Sequence, residues 1–161
     1  MTDWNLIVGQ LEALVEDEPD RTANFANAAA LLATELPDLN WVGFYFVGRP
    51  RAGTGADELI LGPFQGKPAC IRLPFNRGVC GTAWAQNQTL VVDDVHDFPG
   101  HIACDSASQS EIVVPLRDAN GRVYGVLDLD SPRKARFSEA DKAGLITLTE
   151  ALSKRLNFPG A

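Results

Sequence analysis

Three cysteines and a small group of carboxylates are the side chains in this 161-residue chain whose types and spacing suit chemistry. Cys70, Cys80 and Cys104 are an odd set, which fits free thiols better than a structural disulfide framework. Their separations of ten and twenty-four residues are not the C-x₂₋₄-C knuckles of structural zinc, even with His96 and His101 nearby, so no metal is expected. A single cysteine is most simply a small buried hydrophobe, and that alternative stands for Cys70 and Cys80. Cys104 reads differently. It follows Phe98-Pro99-Gly100-His101 and precedes the polar stretch Asp105–Ser110, which runs directly into the strand carrying Glu111. A thiol on a loop at the mouth of a polar pocket is a candidate nucleophile, and backbone N–H groups in such a turn can form a nest for an anion.

The carboxylates come together through one hairpin. Asn120-Gly121 between two apolar runs is a strong hairpin signal, with strands over Glu111–Arg117 and Arg122–Asp130. If those two residues form the loop, Ala119 faces Arg122, Ile112 faces Leu129, Val114 faces Leu127 and Leu116 faces Gly125, which gives one apolar face. On the other face Glu111 lies across from Asp130, and Asp128 lies opposite Val113 on the same side. Like charges so placed cost up to about 1 kcal/mol each unless a cation, a proton or a ligand amine offsets them. The plainer alternative is a solvated acidic face. Against it, residues 123–129 are almost wholly apolar apart from Asp128, as in a strand covered on both faces. Carboxylates in such surroundings rarely lack partners, and crowding raises the pKa of at least one, keeping an acid available near neutral pH.

These groups need a scaffold, and the pattern supplies it. Trp4, Ile7, Val8, Leu11 and Leu14 or Val15 recur at helical spacing before Pro19. A second helix spans about Thr22 to Leu36, with Phe25, Ala28, Ala29, Leu32 and Leu36 as its stripe. Trp41 to Val47 is a strand rich in aromatic and β-branched residues, followed by an exposed Gly/Pro loop at Arg49–Gly55. Short strands are expected at Glu58–Leu61, Ala69–Leu73 and Thr89–Asp93, with a short helix over Cys80–Gln86. A last helix starts at Ser138, capped with Asp141, and buries Ala143, Leu145, Ile146, Leu148 or Thr149, Leu152 and Leu156.

Two helices, a run of short strands and a closing helix make an α+β fold, with helices against an antiparallel sheet. The length suits one domain, residues 1–161. No G-x-G-x-x-G or G-x-x-x-x-G-K-[ST] cradle occurs, and no cofactor is expected. A net charge of −7 repels a phosphate backbone, which argues against nucleic acid. Neither a basic n-region before an apolar run nor a stretch near the length of a membrane span is present, so a cytoplasmic protein without a membrane partner is expected.

Taken as ordered blocks, these residues carry a resemblance. Gly66-Lys67-Pro68-Ala69-Cys70, Arg77-Gly78-Val79-Cys80-Gly81-Thr82, Asp94-Val95-His96, Phe98-Pro99-Gly100-His101-Ile102-Ala103-Cys104-Asp105, Ser110-Glu111-Ile112-Val113-Val114-Pro115-Leu116 and Gly125–Ser131 together resemble the free methionine (R)-sulfoxide reductases, a GAF-domain family. The likeness runs from Asn40-Trp41 to the last helix. It departs at Asn76, where a glycine is often seen, and in the long loop Arg49–Gly55. The resemblance implies a GAF-like, six-stranded antiparallel sheet flanked by helices, and thiol-dependent reduction of free L-methionine (R)-S-oxide with thioredoxin as reductant. It implies Cys104 as the attacking cysteine and Cys70 as the one that resolves it by a disulfide. Cys80 is the third family cysteine and the other candidate for resolution. Trp41 and Tyr45 match aromatic substrate contacts, Glu111, Asp128 and Asp130 match the pocket carboxylates, and Ile102 and Ala103 stand beside the nucleophile as substrate-binding residues.

The chemistry fits this set. A sulfoxide oxygen leaves only when protonated, so a thiolate at Cys104 needs an acid among Glu111, Asp128 and Asp130. The remaining carboxylates suit the free α-ammonium, which a peptide-linked methionine lacks. The competing class is a GAF regulatory module that binds a small ligand without catalysis. A homodimer is expected of an acidic single-domain enzyme with apolar helices.

Overall fold

The computed structural model describes residues 1–102 and 104–156. Helices α1 (Trp4–Val15) and α2 (Arg21–Glu35) open the chain. Strands β1 (Trp41–Gly48), β2 (Glu58–Gly66) and β3 (Arg72–Pro74) lead to helix α3 (Gly78–Gln86). Strand β4 (Leu90–Val92) and a 3₁₀ turn at Val95–Asp97 precede β5 (Ser110–Arg117), β6 (Val123–Ser131) and α4 (Glu139–Lys154). The six strands form one antiparallel sheet in the order β3-β2-β1-β6-β5-β4. Strand β6 is therefore interior, as its apolar composition predicted. Among the described residues, no helix is long and apolar enough to cross a membrane.

Alternation along the strands sorts the side chains into two cores. Val42, Phe44, Ile112, Val114, Leu127 and Leu129 pack with α1, α2 and α4 on one face. Trp41, Tyr45, Val113 and Val126 face the other way, toward α3 and the loops. Asp20 caps α2 through Ala23 N, and Ser138 with Asp141 forms a reciprocal capping box on α4. On α1 the stripe ends in buried Val15, leaving Leu14 exposed. On α4, Ala143 is exposed and Gly144 is buried instead, because Trp4 of α1 packs straight onto it.

The hairpin register is as expected over most of its length, with Glu111 opposite Asp130, Val113 opposite Asp128 and Ile112 opposite Leu129. Near the turn it differs. Between Leu116 and Arg117 the pairing shifts, so Arg117 faces Val123, and Asp118 N donates to Arg122 O. The loop is thus Ala119-Asn120-Gly121, with Gly121 at φ 78°, rather than the two residues expected. Asp118 selects it by accepting hydrogen bonds from Asn120 N and Arg122 N at 2.9 and 3.0 Å. Because the shift lies on the turn side of the carboxylates, their register is untouched.

Two strand boundaries also differ. Strand β2 extends to Gly66, beyond the expected Leu61, because β1 pairs along its whole length through a bulge between Gly43 and Tyr45. The strand expected at Ala69–Leu73 begins only at Arg72, since Cys70 is held by side-chain contacts described below instead of a ladder. Gly43 has a packing reason: a Cβ there would come within 2.3 Å of Phe64 Cβ and 2.7 Å of the Trp41 indole. Replacing Gly43 by Ala is expected to destabilise by about 1–3 kcal/mol through overpacking. Gly9→Ala in α1, where no atom lies within 4 Å of the new Cβ, should instead stabilise by a few tenths to about 1 kcal/mol. Urea unfolding of both variants, with Trp fluorescence as a second readout, checks this contrast.

Candidate active site

The face of the sheet turned toward α3 bears a cavity of about 590 Å³, measured out to its open mouth. Its floor is the carboxylate set. Glu111 on β5 and Asp128 and Asp130 on β6 line it, with Trp41 and Tyr45 from the adjoining β1. Main-chain pairing of Trp41 with Asp130 and of Gly43 with Asp128 fixes which aromatic stands beside which acid. The Trp41 ring stacks with Tyr45 at 5.9 Å and with Phe64 at 5.3 Å.

The aromatic rings also hold the loop that carries Cys70. Trp41 Nε1 donates to Lys67 O at 3.2 Å, and the Tyr45 hydroxyl donates to Cys70 O at 2.8 Å. The Cys104 loop is fixed from the opposite side. Asn40 Nδ2 reaches Asp105 Oδ2 and Ser108 Oγ, both at 3.0 Å, while Gln109 N donates to Ser131 O at 2.7 Å. Between the two loops Cys70 and Cys104 form a disulfide with Cα atoms 5.7 Å apart. Cys104 is exposed and Cys70 half-buried, so the bond lies at the cavity mouth. Cys80 remains a free thiol, buried in α3 with its Sγ 3.9 Å from Glu111 Oε1.

Burial dominates the electrostatics. Glu111 is 5% exposed and Asp128 6% exposed. Burial, and then the neighbouring Asp130, pushes Glu111 up to about 8. Asp128 is raised well above the ordinary carboxylate range by burial and by Glu111, and Asp130 by burial and by Asp128. Burial also raises Cys80, with Asp128 and Glu111 adding to it, so this sulfur is held as a thiol. Asp128 Oδ1 has no hydrogen-bond partner among the described residues. The donor atoms of Cys80, Glu111 and Asp128 lie within 4.8 Å of one another and are the group that a metal ion would find. The same acceptors suit a ligand ammonium or a shared proton.

Of the residues singled out in the sequence, Cys70, Cys80, Cys104, Glu111, Asp128, Asp130, Trp41 and Tyr45 converge here, and Ile102 lines the same wall. Ile102 approaches because Gly78, at φ 66°, has no Cβ; one would sit 3.1 Å from the Ile102 side chain. Ala103 lies outside the described residues. Asn76, the departure from glycine, adopts φ 57°, a conformation that asparagine tolerates better than most residues, and donates its N–H to Gly81 O. The sequence weighed His101 only as a metal ligand. It lines the cavity with Nε2 3.5 Å from Glu111 Oε2, and burial lowers its pKa, keeping the imidazole neutral. Arg77, Asp105 and Ser108 also line the site. Nothing in residue spacing alone marked them, because two loops distant in sequence, one before α3 and one before β5, deliver them.

A GAF domain model matches residues 20–156. Protein YtsP of Bacillus subtilis is 55% identical over 154 residues, covering 96% of this chain and 91% of that protein. The free methionine-R-sulfoxide reductase of Escherichia coli is 51% identical over 144 residues, covering 89% of this chain and 82% of the other. The X-ray structure of free methionine-R-sulfoxide reductase from Neisseria meningitidis in complex with its substrate superimposes with a TM-score of 0.86 at 50% identity, covering 94% of this chain and 87% of that one. The chain belongs to the GAF-domain family of free methionine-R-sulfoxide reductases. In this reductase the GAF sheet is the frame that brings a disulfide-forming cysteine pair to a carboxylate-floored cavity.

The raised carboxylate has a thermodynamic consequence with a definite sign. Between the ordinary glutamate value and about 8, folded Glu111 keeps a proton that the unfolded chain releases. Stability is therefore full below the unfolded value and falls as pH rises through that window, by up to about 1.4 kcal/mol per pH unit for one such group. The melting temperature of the substrate-free protein should fall between pH 5 and 8. Glu111→Gln should flatten that slope and melt above the parent at pH 8. A flat parent profile together with a less stable Gln variant would contradict it.

Proposed function

We propose that this protein is an L-methionine (R)-S-oxide reductase in which Cys104 is the nucleophile, Cys70 the resolving thiol and Glu111 the proton donor. The observation that carries this is the Cys70–Cys104 disulfide at the mouth of a cavity floored by three crowded carboxylates. The Cys104 thiolate attacks the substrate sulfur while Glu111 gives its proton to the oxygen. The S–O bond then breaks as the hydroxyl passes to the Cys104 sulfur and the electron pair of the transient S–S bond returns to the substrate sulfur, so methionine leaves and Cys104 carries the oxygen as a sulfenic acid. The Cys70 thiol then displaces that oxygen as water, forming the disulfide. A carboxyl raised to about 8 is mostly protonated at neutral pH, as a donor must be. Neutral His101, 3.5 Å from it, is suited to pass the replacing proton.

Asp128 and Asp130 are proposed to receive the α-ammonium, which would complete the partnerless Asp128 oxygen. Trp41 and Tyr45 are proposed to pack on the substrate side chain, with Ile102 and Ala103 beside the nucleophile. Cys80, buried and held as a thiol, supports Glu111 rather than exchanging disulfides. Thioredoxin is the proposed reductant in the cytoplasm, a role supported by a two-cysteine disulfide at an open mouth. The whole chain is proposed to act as one domain. Exposed Leu6 and Leu14 on the outer side of α1 support its pairing as a homodimer.

Steady-state assays of free (R), free (S) and N-acetyl (R) methionine sulfoxide test the assignments. The free (R) form should be turned over. The N-acetyl form should lose on the order of 3–5 kcal/mol of binding, several hundredfold or more, because it leaves buried carboxylates unpaired. Asp130→Asn should chiefly raise KM, and Glu111→Gln chiefly lower kcat. Equal turnover of free and N-acetylated substrates would remove the ammonium role. In single turnover, Cys104→Ser should yield no methionine, whereas Cys70→Ser should yield one equivalent and leave a trappable sulfenic acid. A Cys80→Ser protein that forms no disulfide would transfer the resolving role.

A further inference from the structure

We propose that Ile71 and Phe75, beside the Cys70 end of the disulfide, form the docking surface for the dithiol protein that reopens it, and that this partner attacks Cys70. The proposal rests on the thiol cycle above and names the surface and the sulfur that serve it.

Five large apolar residues are exposed among those described: Met1, Leu6, Leu14, Ile71 and Phe75. The first three belong to the N-terminal end and α1, in the helical layer on the far side of the sheet from the cavity. Ile71 and Phe75 are the exception. Ile71 is 57% exposed and follows Cys70 directly, and Phe75 is 50% exposed just past the edge strand β3. Ile71 and Phe75 stand just beyond the two ends of β3, whose middle residue, Leu73, lines the cavity wall. The pair therefore flanks the site rather than the helical core.

The patch is built rather than loose. Phe75 stands edge-on against Trp84 of α3 with ring centroids 4.7 Å apart. The main chain at Ile71 is fixed through its carbonyl, which accepts from Leu61 N at 2.9 Å, and Cys70 is held by the Tyr45 hydroxyl. Such preorganised apolar exposure has no function in the folded monomer and costs solubility, which is the usual mark of a contact surface. Its charge points the same way. In a chain of net charge −7, Lys67 and Arg77 are both exposed along this margin; Asp105 lies near Lys67, and Glu58 is neutralised by its ion pair with Arg72 at 3.0 Å. The complementary partner presents apolar side chains around its reactive thiol with acidic groups at the rim.

The sulfur choice follows from leaving-group chemistry. In exchange, the incoming thiolate bonds one sulfur and the electron pair of the broken S–S bond departs on the other, preferentially the better-stabilised thiolate. Cys104 is the residue that acts as thiolate in the forward reaction, so it is the leaving group and Cys70 takes the bond. The partner's second thiolate then attacks its own first sulfur and releases Cys70, which takes up a proton. Two electrons pass from the dithiol partner, which ends as a disulfide, and both protein thiols are restored.

The test uses oxidised full-length protein, with thioredoxin kept reduced by its reductase and NADPH, and separately with dithiothreitol. Ile71→Ser should raise the KM for thioredoxin at least tenfold and leave dithiothreitol-driven turnover within twofold of the parent, while Ile71→Leu restores the KM. Phe75→Ser should act in the same direction, but Ile71 carries the test because Phe75 also packs on Trp84. A thioredoxin lacking its second cysteine should be trapped on Cys70 by mass mapping. An unchanged thioredoxin KM in Ile71→Ser overturns the docking surface, and trapping on Cys104 overturns the direction of attack. Failure of the parent to reduce free methionine (R)-sulfoxide even with dithiothreitol would instead overturn the underlying function, and this surface with it.

Discussion

Three crowded carboxyl groups in one pocket, Glu111 and Asp128 buried and Asp130 half-buried, are the constraint around which this molecule is arranged. In a low-dielectric site they cannot all be ionised without a counter-charge, so protons remain on some of them at neutral pH. The cost of holding them there is offset by the apolar sheet beneath, where Ile112, Val114, Leu127 and Leu129 are fully buried against the helices. The same two strands thus stabilise the fold with one face and hold the acids with the other. That division explains why the interior pair β5 and β6 carries the acids and an edge strand does not.

The thiols obey a different logic. Both disulfide cysteines lie outside the strands and helices, on segments tied to the sheet by a few directed hydrogen bonds: Trp41 and Tyr45 hold one, and Asn40 and Gln109 the other. Catalysis of this kind needs the two sulfurs to meet after one has attacked substrate, so they belong on elements that can adjust. The acids must stay where they are. Cys80, in contrast, sits inside α3 against Glu111 and Asp128, where burial keeps its proton in place.

The aromatic residues join the two parts. Trp41 and Tyr45 stack on each other in the wall beside the acids and reach the Cys70 loop with their polar atoms. Gly43 between them, with no Cβ, lets Phe64 and Trp41 close on each other. A change in either aromatic ring would therefore disturb both the pocket wall and the position of a redox thiol.

Much of this was legible in the sequence because it depends on local chemistry and period-two alternation. The Asn120-Gly121 signal located the hairpin, and parity alone placed Glu111 across from Asp130 and beside Asp128. The blocks around Cys70, Cys80 and Cys104 named the family and the pairing of two thiols. What could not be read there is set by distance through space. The loop has three residues because the Asp118 side chain captures Asn120 N and Arg122 N, and a bulge then restores the register. Ala143 yields its expected place to Gly144 because Trp4, 140 residues earlier, needs a flat surface. His101 reaches Glu111 only because its loop folds back over the sheet. Residue type and spacing determine which groups can do chemistry, since alternation and turn preference act over a few residues. Tertiary packing decides how buried those groups become, and burial sets which of them holds a proton.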